Sequence, residues 1–579
     1  MKPTRMTLLA ATFLAAPAWG QDTSIQPEAT AQIAERTSVT ASDFMVASAN
    51  PLATEAGAAI LRAGGSAADA AVAVQMMLNL VEPQSSGIGG GAFALYWNDA
   101  LGTLTTFDGR ETAPAAATPD YWLDADGEKV GFWDAVRGGR SVGVPGTLKL
   151  MERIHSDYGR LPWSDLFQPA IDLAETGFEV SLRLAASISG AQERGLDAFP
   201  AARAYFFDAD GLPVEEGSTL ANPDFARTLR LIAAQGSAPF YTGSIARDIV
   251  AAVRTETNSG IMTLEDLAAY EVIERAPICV EYRTRDVCGM GPPSSGALTV
   301  GQMLGILSHF DLPGMGDGPE VAHLLAEAGK LAFADRGLYM ADSDFVNMPV
   351  EGLLDPDYLA SRAALIDPAT AMPPASAGEP PWDDAALYAP DTPRPRHGTS
   401  HFVVKDRHGD MISITTTIET GFGSRVMTGG FLLNNELTDF SFAPEADGMP
   451  VANRVEGGKR PRSSMAPTIV LENGEPTLLV GSPGGSRIIP YVAGALVGIL
   501  DFGLDPQVAI DRPHVANRNS QTTDVEGDHD TADLVAALET KGHEINIRDL
   551  NSGLHAIAIT PDGLVGAADK RREGAVVGE

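Results

Sequence analysis

The chain has 579 residues, 44% of them hydrophobic and 20% charged, with a formal net charge of -35 at pH 7. That is the balance of a folded, water-soluble protein with a large core; length alone suggests roughly three or four domains, or one large unit. The acidity is spread along the chain and disfavours nucleic acid and anionic lipid as partners, since both call for basic patches.

Residues 1–20 read as an export signal. Lys2 and Arg5 precede the short apolar run "MTLLAATFLAAPA", and Ala18-Trp19-Gly20 places small residues where a signal peptidase cuts. The run is too short to span a bilayer, and no later stretch replaces it. A periplasmic or secreted protein is expected, with a mature chain starting near Gln21.

From Pro51 to Val81 apolar residues recur at helical spacing, broken by Gly64-Gly65, with Ser66 as the N-cap of the second helix. "QSSGIGGGAFALYW" reads as a glycine loop and a strand, and "LGTLTTFDGRETAP" as a strand ending in a polar turn. Residues 145–275 are expected to be mainly helical, and Val300 to about Met340 to be one long helical stretch. Between them Cys279 and Cys288 flank "VEYRTRDV". With Arg283-Thr284 as a hairpin turn, the two cysteines face each other. In an oxidising compartment they can bond; two packed free thiols are the alternative. The spacing is neither a redox nor a zinc motif.

Residues 366–398 are rich in Pro and Ala and read as a linker with little that can pack. After it the pattern turns to strands. "SHFVVKD" and "MISITTTIE" flank Arg407-His408-Gly409 as a hairpin, "GGFLLNN" follows, and "APTIVLENGEPTLLVG" is a second hairpin with an Asn473-Gly474 turn. "SRIIPYVAGALVGILDFG" and "TADLVAALETKG" are expected as helices.

Several motifs fail. "GIGGGA" lies between a helix and a strand, the reverse of a dinucleotide fingerprint. There is no phosphate-binding P-loop, no H-E-x-x-H zinc pattern and no G-x-S-x-G elbow. Neither a metal nor an organic cofactor is expected.

The linker runs directly into Gly398, Thr399, Ser400 and His401. A hydroxyl is a poor nucleophile without a base. If the chain is cut just before Thr399, its own new α-amine becomes that base. Such an amine titrates at about 7.7–8.0 and accepts a proton near neutrality. Acyl transfer also needs donors for an oxyanion, and Gly484 and Gly485 in "GSPGGSRII" open a helix where backbone N–H groups can serve.

Across nearly the whole mature chain the sequence resembles the γ-glutamyltransferases, the glutathione hydrolase proenzymes of the N-terminal nucleophile hydrolase superfamily. "GTSHF", "TTTIETGFGSRV", "FLLNNELTDFS", "GKRPRSSMAPTIV" and "GSPGGSRI" carry the match, with "GIGGGAF", "FDGRETAP" and "PPSSGA" earlier in the chain. The resemblance implies an α+β fold, a four-layer αββα sandwich. It implies self-cleavage between Gly398 and Thr399, giving a large subunit (21–398) and a small one (399–579) that stay together as a heterodimer. Thr399 would be the nucleophile, Thr417 its hydrogen-bond partner, and Gly484 and Gly485 the oxyanion hole. Arg110, Ser463 and Ser464 would hold the substrate α-carboxylate, and Glu436 and Asp439 the α-ammonium. Glutathione or another γ-glutamyl compound would be the donor, and water, an amino acid or a peptide the acceptor.

Two departures stand out. Glu419 occupies the place where familiar transferases carry Asn, and would make the ammonium subsite more acidic. The segment between Asp439 and Ser463 is shorter than in many relatives and lacks the tyrosine that lids the substrate in some. Cephalosporin or glutaryl acylases share the motif set and are the alternative enzyme. A binding protein of the same fold without catalysis is the alternative outside enzymes.

Overall fold

The computed structural model describes residues 30, 32–382, 388–391, 398–527 and 531–579. The export signal expected at 1–20 lies outside the described residues.

Local rules set the first elements. Helix Pro51–Arg62 starts at Asn50, whose side chain accepts from Leu52 N. Helix Ala67–Val81 starts at Ser66 in a reciprocal capping box with Asp69. The hairpin turns fall at Arg283-Thr284, with φ of 51° and 73°, and at Asn473-Gly474, with φ of 55° and 84°. Left-handed values at both central residues suit the right-handed twist of the flanking strands.

Among the described residues, two seven-stranded antiparallel sheets form the centre. In one, the order is Val39–Ala41, Gly563–Ala568, His555–Thr560, Glu475–Gly481, Thr468–Glu472, Arg285–Gly289, Ile278–Tyr282. In the other it is Ala575–Gly578, Met45–Ser48, Ser400–Lys405, Met411–Thr417, Gly91–Asn98, Thr103–Gly109, Ile273–Arg275. The second sheet is buried on both faces, so side chains alternate between two apolar environments. Ala92, Ala94, Tyr96, Phe402 and Val404 pack against helices Pro51–Arg62 and Ala67–Val81. Phe93, Leu95, Trp97 and Val403 turn to the facing sheet, whose outer side is covered by Gly296–Leu307, Pro319–Tyr339 and Ile488–Leu500. The result is a four-layer αββα sandwich.

Residues on either side of Thr399 interleave. Ser400–Lys405 pairs with Met45–Ser48, and Met411–Thr417 with Gly91–Asn98. A break before Thr399 would leave both sheets intact.

Three expectations are corrected. The stretch Val300–Met340 is not one helix: Gly296–Leu307 and Pro319–Tyr339 are separated by residues 308–318, where only Leu312–Met315 is helical, because the Pro and Gly of "DLPGMGDGP" break the ladder. The linker's described residues, 366–382, 388–391 and 398, are tied down. Met372 N donates to Glu327 Oε2 at 2.8 Å, Ala375 N to Asn519 Oδ1 at 2.6 Å and Gly378 N to Asp335 Oδ1 at 2.8 Å. Of "GGFLLNN", only Phe431–Leu432 is a strand. Cys279 and Cys288 lie opposite each other in the first sheet and are disulfide-bonded.

Candidate active site

Thr399 stands one residue before strand Ser400–Lys405. Ser400 pairs with Thr416 and His401 with Thr415, so Thr399 comes opposite Thr417 on the face between the sheets. Both are buried. The chain is continuous here, and its geometry is that of the uncut form. Thr399 Oγ1 donates to its own preceding carbonyl, Gly398 O, at 2.7 Å; Thr417 Oγ1 donates to the same oxygen at 2.6 Å. The two hydroxyl oxygens are 3.4 Å apart. Both donors thus polarise the carbonyl that must be attacked in self-cleavage. The opposite carbonyl, Thr399 O, accepts from Arg572 Nη1 at 3.3 Å.

Glycines bring this backbone together. At φ +127°, Gly398 sits where a Cβ would collide with the Glu419 carbonyl oxygen. The "GIGGGA" loop has a packing role: a Cβ on Gly90 would strike the Thr417 carbonyl, and one on Gly89 the Leu432 carbonyl. Gly484 and Gly485, with φ of 134° and 57°, link strand Glu475–Gly481 through the short turn Gly485–Arg487 to helix Ile488–Leu500. The end of that strand lies against His401, two residues past Thr399, since a Cβ on Gly481 would meet its ring.

Arg110 is buried at the end of strand Thr103–Gly109. Its Nη1 pairs with Glu436 Oε1 and its Nη2 with Asp439 Oδ2. Nε donates to Pro461 O at 3.1 Å and Nη2 also to Arg462 O at 3.3 Å, next to Ser463. Carboxylate oxygens of Glu419, Glu436 and Asp439 all lie within 4.8 Å of one another. Arg110 and these acids thus form one ion cluster. The guanidinium sits between the acids and neutralises part of their charge. Glu419 is in the left-handed region, φ 77°, which a long side chain rarely adopts.

Ser463 is anchored by "PPSSGA": its carbonyl accepts from Ser295 N at 2.9 Å and Ser295 Oγ at 2.6 Å. Ser463 Oγ accepts from Met465 N at 3.1 Å, and Ser464 Oγ from Arg336 Nη2 at 2.7 Å. Each hydroxyl proton can still be donated to a carboxylate.

Two buried residues carry no role in the sequence reading. Glu111 is fully buried beside Arg110. Burial first, then repulsion from Glu436, pushes its carboxyl well above the usual range against the pull of Arg110. Its signal in the sequence was only adjacency to Arg110. His401, next but one to Thr399, bonds Thr415 Oγ1 at 2.9 Å. Burial, then His555, holds its imidazole well below the usual value, so it stays neutral.

A threonine aimed at its own preceding carbonyl, at the head of a central strand in an αββα sandwich, defines the class as an N-terminal nucleophile hydrolase. Residues 53–579 match the gamma-glutamyltranspeptidase family, and the chain belongs to it. It is 39% identical to a glutathione hydrolase proenzyme of Bacillus subtilis over 93% of this chain and 91% of that one. It is 36% identical to an acylase ACY 1 proenzyme of a Pseudomonas species, over 94% and 95%. The cephalosporin acylase of Bacillus halodurans superposes with a TM-score of 0.84 at 29% identity, covering 96% of this chain and 99% of that one.

Proposed function

We propose that this chain is a self-cleaving γ-glutamyl hydrolase and transferase that acts on glutathione and related amides. The observation that carries the reading is the convergence of the Thr399 and Thr417 hydroxyls on Gly398 O.

In self-cleavage Thr399 Oγ1 attacks the Gly398 carbonyl carbon, and Thr417 O–H holds the oxygen as it gains charge. The hydroxyl proton passes to the departing amide nitrogen, the C–N bond breaks, and an ester joins Gly398 to Thr399 Oγ1. Water hydrolyses the ester, freeing the Gly398 carboxylate, the hydroxyl and the α-amine. The amine is then the base for catalysis, worth about 10² to 10⁴ in rate. It takes the hydroxyl proton as Thr399 Oγ1 attacks a γ-glutamyl carbonyl, and returns it to the leaving nitrogen. N–H groups at Gly484 and Gly485 serve the oxyanion. Water or an amine then resolves the γ-glutamyl ester. The interleaved sheets keep residues 21–398 and 399–579 together as a heterodimer.

The acidic cluster supports an acyl group that bears an ammonium. Glutaryl differs from γ-glutamyl by lacking that group alone, and would leave Glu419, Glu436 and Asp439 facing one another with only Arg110 to offset them. The acylase relatives favour the glutaryl reading, and one comparison decides. γ-Glutamyl-p-nitroanilide is expected to exceed glutaryl-p-nitroanilide in kcat/KM by about 10²-fold or more, as when a substrate group that pairs buried polar partners is removed; equal rates would overturn the reading. Export belongs to the same proposal, supported by the residue 1–20 pattern and by the Cys279–Cys288 disulfide. Among the described residues no helix is long and apolar enough to cross a membrane.

A further inference from the structure

The loop that leaves Thr417 carries a second unusual feature. Glu419, Phe422 and Arg425 all have positive φ, 77°, 66° and 69°. Left-handed backbone at three bulky residues in so short a span stores strain, and such strain gathers where ligands are held.

Arg425 is 1% exposed. Its Nη1 donates to Thr420 Oγ1 at 3.1 Å and to Gly423 O. Its Nε has no hydrogen-bond partner among the described residues. Among the described residues no carboxylate pairs with it, and the charges acting on it are those of Arg194 and Arg137. Burial first, then these two cations, lowers Arg425 to about 9. Arg194 and Arg425 lie against one indole ring, their guanidinium carbons 4.9 Å and 5.6 Å from the Trp133 centroid. Arg137 donates from Nε to Trp133 O at 3.0 Å and pairs with exposed Asp134 at 2.8 Å. Arg194 is exposed and Arg137 partly so, which leaves a route from solvent.

A buried cation beside two others and without an acid is strongly disfavoured unless an anion joins it. In a chain of net charge -35, a patch of three guanidiniums runs against the general field. Thr420, which holds Arg425, directly follows Glu419 of the acidic cluster. Thr420 N also bonds Asn435 Oδ1 at 2.9 Å, next to Glu436.

We propose that Arg425, Arg194 and Arg137 form a carboxylate subsite beside the active-site loop, occupied by the terminal carboxylate of the leaving group or of a peptide acceptor. The proposal rests on the γ-glutamyl reading for the source of the carboxylate, not for the anion site itself. A guanidinium fork suits a planar carboxylate, and Trp133 would form its apolar wall.

The test uses the full-length, self-cleaved protein. kcat/KM is compared for glutathione and for glutathione whose glycine carboxylate has been converted to an amide. Charge-assisted hydrogen bonds predict about a tenfold preference for the carboxylate, falling to within about twofold of parity in Arg425→Gln and in Arg194→Gln. Should the buried variant fail to fold, Arg194→Gln alone decides. Sodium formate at constant ionic strength supplies the second arm: it should raise the Tm of the wild type and not of the variants. Formate stabilisation without a substrate preference keeps the anion site and overturns its assignment to a carboxylate of the leaving group. That arm needs no turnover, so it separates failure of the subsite from failure of the γ-glutamyl reading. A substrate preference that persists in both variants, or parity together with no formate effect, overturns the proposal.

Discussion

Replacing Thr417 by valine keeps the side-chain volume and removes one hydroxyl. That hydroxyl donates to Gly398 O at 2.6 Å and accepts from Glu419 N at 2.8 Å. The lost acceptor leaves a buried N–H unpaired, a cost of about 1–3 kcal/mol in stability. The lost donor takes a hydrogen bond from the oxygen that becomes an oxyanion during self-cleavage. Removing one such donor slows a reaction by about 10² to 10³, or ~2.7–4 kcal/mol of barrier. The assay follows conversion of full-length chain into two fragments on denaturing gels after purification, with circular dichroism confirming the fold. Thr417→Val should accumulate as intact chain, and Thr417→Ser, which restores the hydroxyl, should cut near the wild-type rate. A folded valine variant that cuts itself as fast as wild type would refute the role assigned to this hydroxyl.

Gly398→Ala should slow self-cleavage at least about tenfold, because strained φ costs about 1–3 kcal/mol and the Cβ would lie 2.8 Å from Thr420 C and 2.9 Å from Gly421 N; the uncut fraction on a gel reports it. Paired Cys279→Ser and Cys288→Ser substitution should cost about 2–3 kcal/mol for a loop this short, read by chemical denaturation, with self-cleavage retained. Glu111 gives a pH prediction. Its folded value is raised, so its contribution to stability is complete below the ordinary carboxyl range of about 4.3 and is lost as pH rises towards the raised value. Glu111→Gln should flatten that decline in a Tm series from pH 4 upward; an unchanged slope would count against the burial of an ionisable carboxyl there.

What the sequence made legible was local. The turns at Arg283-Thr284 and Asn473-Gly474 and the Ser66 cap all follow from neighbouring residues. The glycines of "GIGGGA" were visible, but their purpose was not, since Gly90 is needed against Thr417 and Ile418, far along the chain. Arg110 shows the same limit. Its partners Glu436 and Asp439 lie more than three hundred positions away, and nothing nearby signals that all three share one buried space. The linker 366–398 reads as loose chain, yet its backbone N–H groups at Met372, Ala375 and Gly378 donate to the side chains of Glu327, Asn519 and Asp335. Anchors of that kind leave no apolar pattern to read. The Pro and Gly residues of "DLPGMGDGP" mark the break that the long helical stretch expected over Val300–Met340 passes over.

The central claim is that a cut before Thr399 creates the base that activates it, and one measurement addresses it directly. Purified protein active on glutathione is resolved into its chains, and the smaller is sequenced from its amino terminus. Two chains are predicted, the smaller beginning at Thr399, with activity appearing in step with the cut. Glutathione cleavage at full rate by protein whose Gly398–Thr399 bond is intact would contradict the account.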